Sequence, residues 1–257
     1  MQILSHLGIT DRPFRSKVLQ TMDADEHAAC LHDWGQCYDQ LSAGRFSGCF
    51  EEFVFNRVQL FRERANQAIH ESGHPWAGSR TLAVPVEVEG SGWFCGEAFD
   101  IDSIITLKGG ETLDFRTPRV HEIVAITADA NELNNYALQV EHRDIEAELC
   151  PKGFIPADRD RVQALRAFLS TVMSSLRATP EMLEHASIRK ALEHAVYGAV
   201  LEAASSDHDQ RAAPSGRTRQ IVVERAREYM HAHIDEPISV ADLCVELRVS
   251  RRTLQYS

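Results

Sequence analysis

Hydrophobic positions recur with period two from Phe46 to about Val140. Leu82, Val84, Val86 and Val88 alternate, and the run from Val58 to Asn66 does the same. That spacing places one set of side chains on one face of an extended strand. Phe46, Phe50, Phe53 and Phe55 open the region. Trp93-Phe94-Cys95 follows a Gly90-Ser91-Gly92 turn. Ile104-Ile105, Leu113, Phe115 and the run Ile123-Val124-Ala125-Ile126 continue it, separated by Lys108-Gly109-Gly110-Glu111 and Pro118. Many short strands punctuated by glycine and proline predict a β-sandwich or partly open jelly-roll barrel. Such barrels hold small molecules in their mouths.

Outside this region the period is helical. Residues 1 to about 43 are mixed and are expected to wrap the strand-rich part. Within them Asp23-Ala24-Asp25-Glu26 predicts an acidic first turn for a helix running through Trp34. Residues 131 to 148 are helical at least in part, and Pro151 to Pro156 form a break. Asp158 to Arg177 then carries Val162, Leu165, Leu169, Val172 and Leu176 at steps of 3, 4, 3 and 4, with Phe168 and Met173 widening the stripe. This heptad-like seam either pairs with its twin in a homodimer or lies on the strand domain of its own chain, and a dimer is favoured. Thr179-Pro180-Glu181 starts a second helix to about Ala204. In it Ala191, Ala195, Ala199 and Ala203 recur at i,i+4, a smooth face for close helix approach. Ser205 to Arg217 is polar, contains Pro and Gly, and reads as a linker. Arg219 to Ile234 is the next helix.

The last twenty residues are the most informative. Ser239 followed three positions later by Asp242 has the form of a capping box. Ala241, Leu243, Cys244 and Leu247 supply apolar or small positions along a two-turn helix, with Cys244 where two crossing helices approach closely. Arg248-Val249 makes a turn. Ser250 caps a second helix, and Leu254 points back to the core. Arg251, Arg252 and Gln255 share the opposite face by i,i+3 and i,i+4 spacing. Together these form a helix-turn-helix whose outer face suits the major groove, since Arg and Gln make paired contacts to guanine and adenine edges and Arg neutralises phosphate.

The stretch from Ile238 to Tyr256 resembles the first helix-turn-helix of the AraC/XylS family of bacterial transcription regulators. Ser250, Leu254 and Gln255 match the family's Ser-x-x-x-Leu-Gln run. The resemblance implies DNA contacts from Arg252, Gln255 and Tyr256, with Arg251 beside them. It also implies a DNA-binding domain of roughly 100 residues with two such units. Of that domain this sequence carries the first portion and stops inside the second helix of the first unit. The order of parts is also similar to the family's, in which a cupin-like N-terminal domain senses a ligand or dimerises. Tyr38 to Gly48, with Gln59-Leu60-Phe61-Arg62-Glu63, resembles the subgroup of the ethanolamine-operon and CdpR-type regulators.

Composition narrows the alternatives. The chain has 257 residues, 44% of them hydrophobic and 25% charged, enough to bury a real core. No apolar run reaches the roughly 18 residues of a membrane span, and Met1 to His6 lacks the pattern of a signal peptide. Cysteines 30, 37, 49, 95, 150 and 244 form no Cys-x-x-Cys pair, which suits reduced thiols in a cytoplasm. The net charge of −11 argues against a chain devoted wholly to nucleic acid. From Arg217 onward, however, seven arginines meet six acidic residues, leaving the rest of the chain to carry the acidity.

Catalytic signals are weak. Gly109-Gly110-Glu111 and Pro118-Arg119-Val120-His121 faintly resemble the second cupin motif. The expected His-x-His is missing, and His70 and His74 fall on an apparent loop. There is no phosphate-binding glycine loop and no Gly-x-Ser-x-Gly elbow. Trp76, Trp93, Phe94, Arg62, Arg64 and His121 are candidates to line an effector pocket, although strand packing and solvated charge explain each of them as well.

The sequence therefore predicts an α+β chain. Residues 1–150 form a cupin-like sensor or dimerisation domain, 151–204 a helical pair for dimerisation, 205–217 a linker, and 218–257 a partial AraC-type helix-turn-helix domain. The expected function is promoter-DNA recognition by a cytoplasmic homodimer, an activator by the family's commoner habit, through Arg251, Arg252, Gln255 and Tyr256. A small-molecule effector is a candidate partner, and no cofactor, metal or catalytic residue is expected. The alternative is a cupin-like metal enzyme or small-molecule-binding module without DNA binding.

Overall fold

The computed structural model describes residues 13–149, 152–205 and 216–257. Among them, the first strands are β1 (Phe14–Thr21), β2 (Cys37–Gln40), β3 (Gly48–Phe55), β4 (Val58–Ala65), β5 (Ile69–Gly73) and β6 (Ser79–Glu89). These are followed by β7 (Gly92–Phe94), β8 (Glu97–Phe99), β9 (Ile105–Lys108), β10 (Leu113–Arg116), β11 (Val120–Asp129) and β12 (Lys152–Phe154). The helices are α1 (Ala24–Ala28), α2 (Ala130–Tyr136), α3 (Ile145–Glu148), α4 (Arg159–Ala178), α5 (Ala186–Ala203), α6 (Gly216–Ala232), α7 (Val240–Leu247) and α8 (Arg251–Gln255). The fold class is α+β, as the alternation predicts.

Seven strands make one sheet in the order β1-β3-β4-β11-β6-β9-β12, and five make a second, β2-β5-β10-β7-β8. The larger sheet is covered on both faces. On β11, Ile123 and Ala125 join an aromatic layer between the sheets with Phe50, Phe61, Phe94 and Phe115. Val124 and Ile126, one residue out of phase, join the layer beneath the helices with Leu60, Leu82 and Val84. Burial on both faces explains why Ile123 to Ile126 is an unbroken apolar run. A register shift between Glu122 and Ile123, opposite β6, adds a bulge. Past it Val86 packs toward the helices and Val88 toward the inter-sheet layer, so the long alternation on β6 changes face part-way.

The helices settle several expectations. Asp23 accepts hydrogen bonds from the amides of Asp25 and Glu26, so the acidic start is a true cap, but α1 ends at Ala28 rather than reaching Trp34. The chain before it forms an edge strand from Phe14, paired along its length with β3. In α4 the buried stripe is Val162, Leu165, Leu169, Met173 and Leu176, and it packs on the larger sheet and α5 within one chain. The seam expected to favour a dimer is thus filled internally. Met173 takes the place of Val172 because a helix lying on a sheet keeps its 3.6-residue period, whereas a coiled coil needs 3.5. In α5 the buried face is Val196, Tyr197, Gly198, Val200, Leu201 and Ala203, while Ala191 is exposed and Ala195 and Ala199 are half-buried. The alanine stripe is therefore not the close-packing face. Most of the expected linker, 206–215, lies outside the described residues.

Between α2 and α3 the helix widens to a π turn over Ala137–Glu141, stopped by His142 in the left-handed conformation. Ala137 and Val140 are buried there. The buried Arg80 of β6 reaches Glu146 of α3 at 3.2 Å, which ties this segment to the sheet.

A candidate nucleic-acid interface and the sensor behind it

The C-terminal unit forms the two capped helices that its sequence predicts. The Ser239 side chain accepts from the amide of Asp242, and an Asp242 carboxylate oxygen accepts from the Ser239 amide, so both halves of the capping box are made. Arg248 ends α7 with φ of 53°, the left-handed turn that redirects the chain. Ser250 caps α8 by accepting from Thr253. Val222 and Ala226 of α6 pack against Leu247, with Leu243, Val249 and Leu254 around them. This is a small core, three buried residues with a half-buried rim.

The rest of α7 faces the other way. Ala241 and Cys244 are buried in the main core beside Tyr136, Ala137 and Val140. Cys244 does separate two closely packed surfaces, as expected of a small residue, but these are the helix-turn-helix and the strand-rich domain with its helices. Burial raises its thiol to about 11, with Glu141 adding to the shift. At the rim of the contact, Lys190 of α5 meets Asp242 at 3.2 Å.

The structure divides the four residues assigned to DNA. Arg252, Gln255 and Tyr256 are exposed, and the Arg252 guanidinium stacks over the Tyr256 ring at 5.6 Å. Arg251 is half-buried and turns inward, so it does not share the outer face with Gln255 as the helical spacing suggests. Its guanidinium lies over Gly198 of α5, where a Cβ would overlap Nη1. Nearby, burial raises the Tyr136 hydroxyl to about 12 while the positive charge of Arg251 pulls the other way. Burial raises Glu141 as well, and Arg251 again opposes the shift. Glycine inside a helix costs about 1 kcal/mol relative to alanine; here it leaves room for the arginine.

The strand-rich domain holds a second, buried group of charges. His27 Nε2 lies 3.2 Å from Glu63 Oε1, and Tyr38 donates to the same carboxylate at 2.9 Å. All three are buried. Burial opposes a charged His27, but Cys30 and the Glu63 carboxylate outweigh it and the imidazole is raised to about 9. Burial would likewise raise Glu63, yet His27 and Tyr38 hold it below its ordinary range. Glu71 has no such cation against it. Burial, with Glu63 nearby, pushes its carboxyl well up. Its Oε1 is 3.8 Å from His121 Nε2, and neither atom has a hydrogen-bond partner. Burial lowers His121 to about 4, with the positive His27 adding to the effect and Glu63 opposing it. Glu63 and Glu71 border a cavity of about 40 Å³, otherwise walled mainly by Trp34, Phe61, Phe94, Leu107 and Phe115. Among the described residues, no group of three or more His, Cys, Asp or Glu side chains converges to hold a metal ion. Nor is any helix among them long and apolar enough to cross a membrane.

The candidate pocket residues are scattered. Phe94 lines the cavity and His121 is buried beside Glu71, but Trp93 is exposed and Trp76 is half-buried at the edge. Arg62 and Arg64 lie away from the cavity and pair with Glu122. His70 lies on β5, not in a loop, and bonds Asp114 at 2.9 Å. Sequence reasoning missed His27, Tyr38, Glu63 and Glu71. A signal existed for one of them, because the same period-two alternation that buries Phe61 and Ala65 places Glu63 between them on the inward face.

No protein-family model matches the chain. The crystal structure of the AraC-like transcriptional activator CuxR matches it with a TM-score of 0.51 at 12% identity, over 93% of this chain and 88% of that one. The chain shares that fold. A single-residue variant of Streptomyces PAC13 with uridine matches at TM-score 0.27 and 14% identity, over 36% of this chain and 75% of the other. A protein of unknown function with a cupin-like fold from Ralstonia eutropha JMP134 matches at 0.25 and 14%, over 32% and 54%.

Proposed function

We propose that the chain is a transcription regulator that recognises promoter DNA through α8, with the barrel as its sensor domain. The observation that carries this reading is the pair α7–α8. Its caps, its left-handed turn at Arg248 and its exposed Arg252, Gln255 and Tyr256 are what a groove-reading unit needs. The fold shared with an AraC-like activator supports it. Arg252 and Gln255 contact base edges or phosphate, and Tyr256 adds an amphipathic ring at the groove wall. An effector acts through the barrel, and the working form is a homodimer. Because the α4 stripe is filled within one chain, the dimer contact uses another surface. Activation is the assigned direction, and a cytoplasmic location follows from the role.

The test is binding to a duplex selected from a random-sequence pool. Arg252→Ala and Gln255→Ala are each expected to weaken binding of the selected duplex by about 1–3 kcal/mol, relaxing discrimination at one base position. Selection that yields no preferred sequence, or variants that bind like the parent, would remove α8 from the role of recognition helix.

A further inference from the structure

Arg251, one of the four residues proposed to read DNA, lies half-buried against α5. On the sensor side its seat is the space left by Gly198 of α5, with Tyr136 and Glu141 near enough for the charge of the guanidinium to act on both. Around it α7 is pressed to the sensor by Cys244 and Ala241, and Lys190 meets Asp242 at the rim. A guanidinium lodged over Gly198 of α5 is not available to a phosphate or a guanine edge. π turns also interrupt regular helices at sites that do something other than pack.

We propose that this surface is a docking site for the recognition helix, and that the sensor domain and DNA compete for Arg251. The proposal rests on the regulator reading above and adds its regulation. The seated arginine holds the unit in a form with one DNA contact withheld, and DNA binding draws it out. By linkage, anything that weakens the seat strengthens DNA binding, and bound DNA weakens the seat by the same factor.

Cys244 reports the docking. It is fully buried against the sensor, Cys37 is exposed, and Cys30 is buried inside the barrel. The experiment is N-ethylmaleimide labelling of the 257-residue chain, read by peptide mass spectrometry. Cys37 serves as the reagent control and Cys30 as the control for unfolding. Gly198→Ala puts a methyl where the guanidinium lies and replaces glycine with the best helix former, so α5 stays intact. In that variant Cys244 is expected to label about tenfold faster or more, with Cys30 unchanged. Arg251→Ala, which removes the guanidinium from outside the core, should do the same. Adding a 30-base-pair duplex of mixed sequence at low salt should accelerate Cys244 labelling in the parent chain, and Gly198→Ala should bind that duplex several-fold more tightly.

If Cys244 stays protected in both variants, the seat does not hold the unit and the proposal falls, whatever the chain does with DNA. If the parent binds the duplex while Cys244 remains protected, docking and DNA are compatible and the competition is refuted. If neither parent nor variant retains any duplex although the variants release Cys244, the regulator reading fails and takes the competition with it.

Discussion

The barrel and the helix-turn-helix bury charge in opposite ways. In the barrel, His27 and Glu63 are enclosed on all sides by strands and by α1, and the pair belongs to one layer of one domain. In the C-terminal unit Arg251 is half-buried, and the Gly198 it lies over belongs to the other domain. A sealed ion pair contributes to keeping the fold unique. A shared contact is held only as long as the two units stay together. The cores differ in the same sense, since the larger sheet lies between two broad apolar layers while the helix-turn-helix has Val222, Ala226 and Leu247 and leans on the strand-rich domain and its helices for the rest.

The contrast can be broken most forcefully at Glu63. Glu63→Gln leaves a cationic His27 buried without its counter-charge, and the expected cost is about 3–5 kcal/mol. Urea unfolding followed by tryptophan fluorescence measures it cleanly, because Trp34, Trp76 and Trp93 all lie in the strand-rich domain. An unchanged midpoint would mean that the pair is not closed in solution.

The pH dependence is next in size, and the two histidines carry opposite signs. His27 is raised to about 9 in the folded chain. Its stabilisation is complete below about 6.5, the ordinary histidine value, and fades as the pH rises towards 9. His121 is lowered to about 4. The unfolded chain takes up a proton there that the folded chain refuses, so stability falls as the pH drops from about 6.5 towards 4. His27→Gln should flatten the alkaline limb of the stability curve and His121→Gln the acid limb. Loss of the same limb in both variants would contradict the assignment.

The smallest effect on the barrel should come from Leu247→Ala. Truncation in the small C-terminal core is expected to cost about 2 kcal/mol or more, confined to that unit. Helical circular dichroism should then fall at lower urea than in the parent, while the tryptophan transition stays in place. A concerted shift of both signals would show that the two units unfold as one, which would make the dependence of the helix-turn-helix on the sensor mutual.

Much of the architecture was legible because its signals are local. Ser239 with Asp242, Arg248 with Val249, and Ser250 with Leu254 fix caps and turns within four residues of chain, and each of them formed as expected. The strand texture likewise announced a β-rich domain of the right class. What failed was any reading that needed to know the neighbour. The α4 stripe looked like a dimer seam, yet a helix facing a sheet and a helix facing its twin differ in sequence only by the drift between periods of 3.6 and 3.5. The alanine repeat of α5 looked like the close-packing face, but the closest approach falls at Gly198, between two of those alanines.

The sequence by itself determined the two capped helices, their exposed arginine, glutamine and tyrosine, and the alternation that buries Glu63 among aromatics, because hydrogen bonds and periodicities of a few residues govern all of these. Only the tertiary structure decided that Glu63 meets His27 from 36 positions earlier, that His121 and Glu71 face each other unsatisfied, and that Arg251 turns away from its neighbours on α8 to lie over Gly198. A side chain's helical position fixes where it starts. Where a long guanidinium ends is set by the empty volume that a distant part of the chain brings within reach.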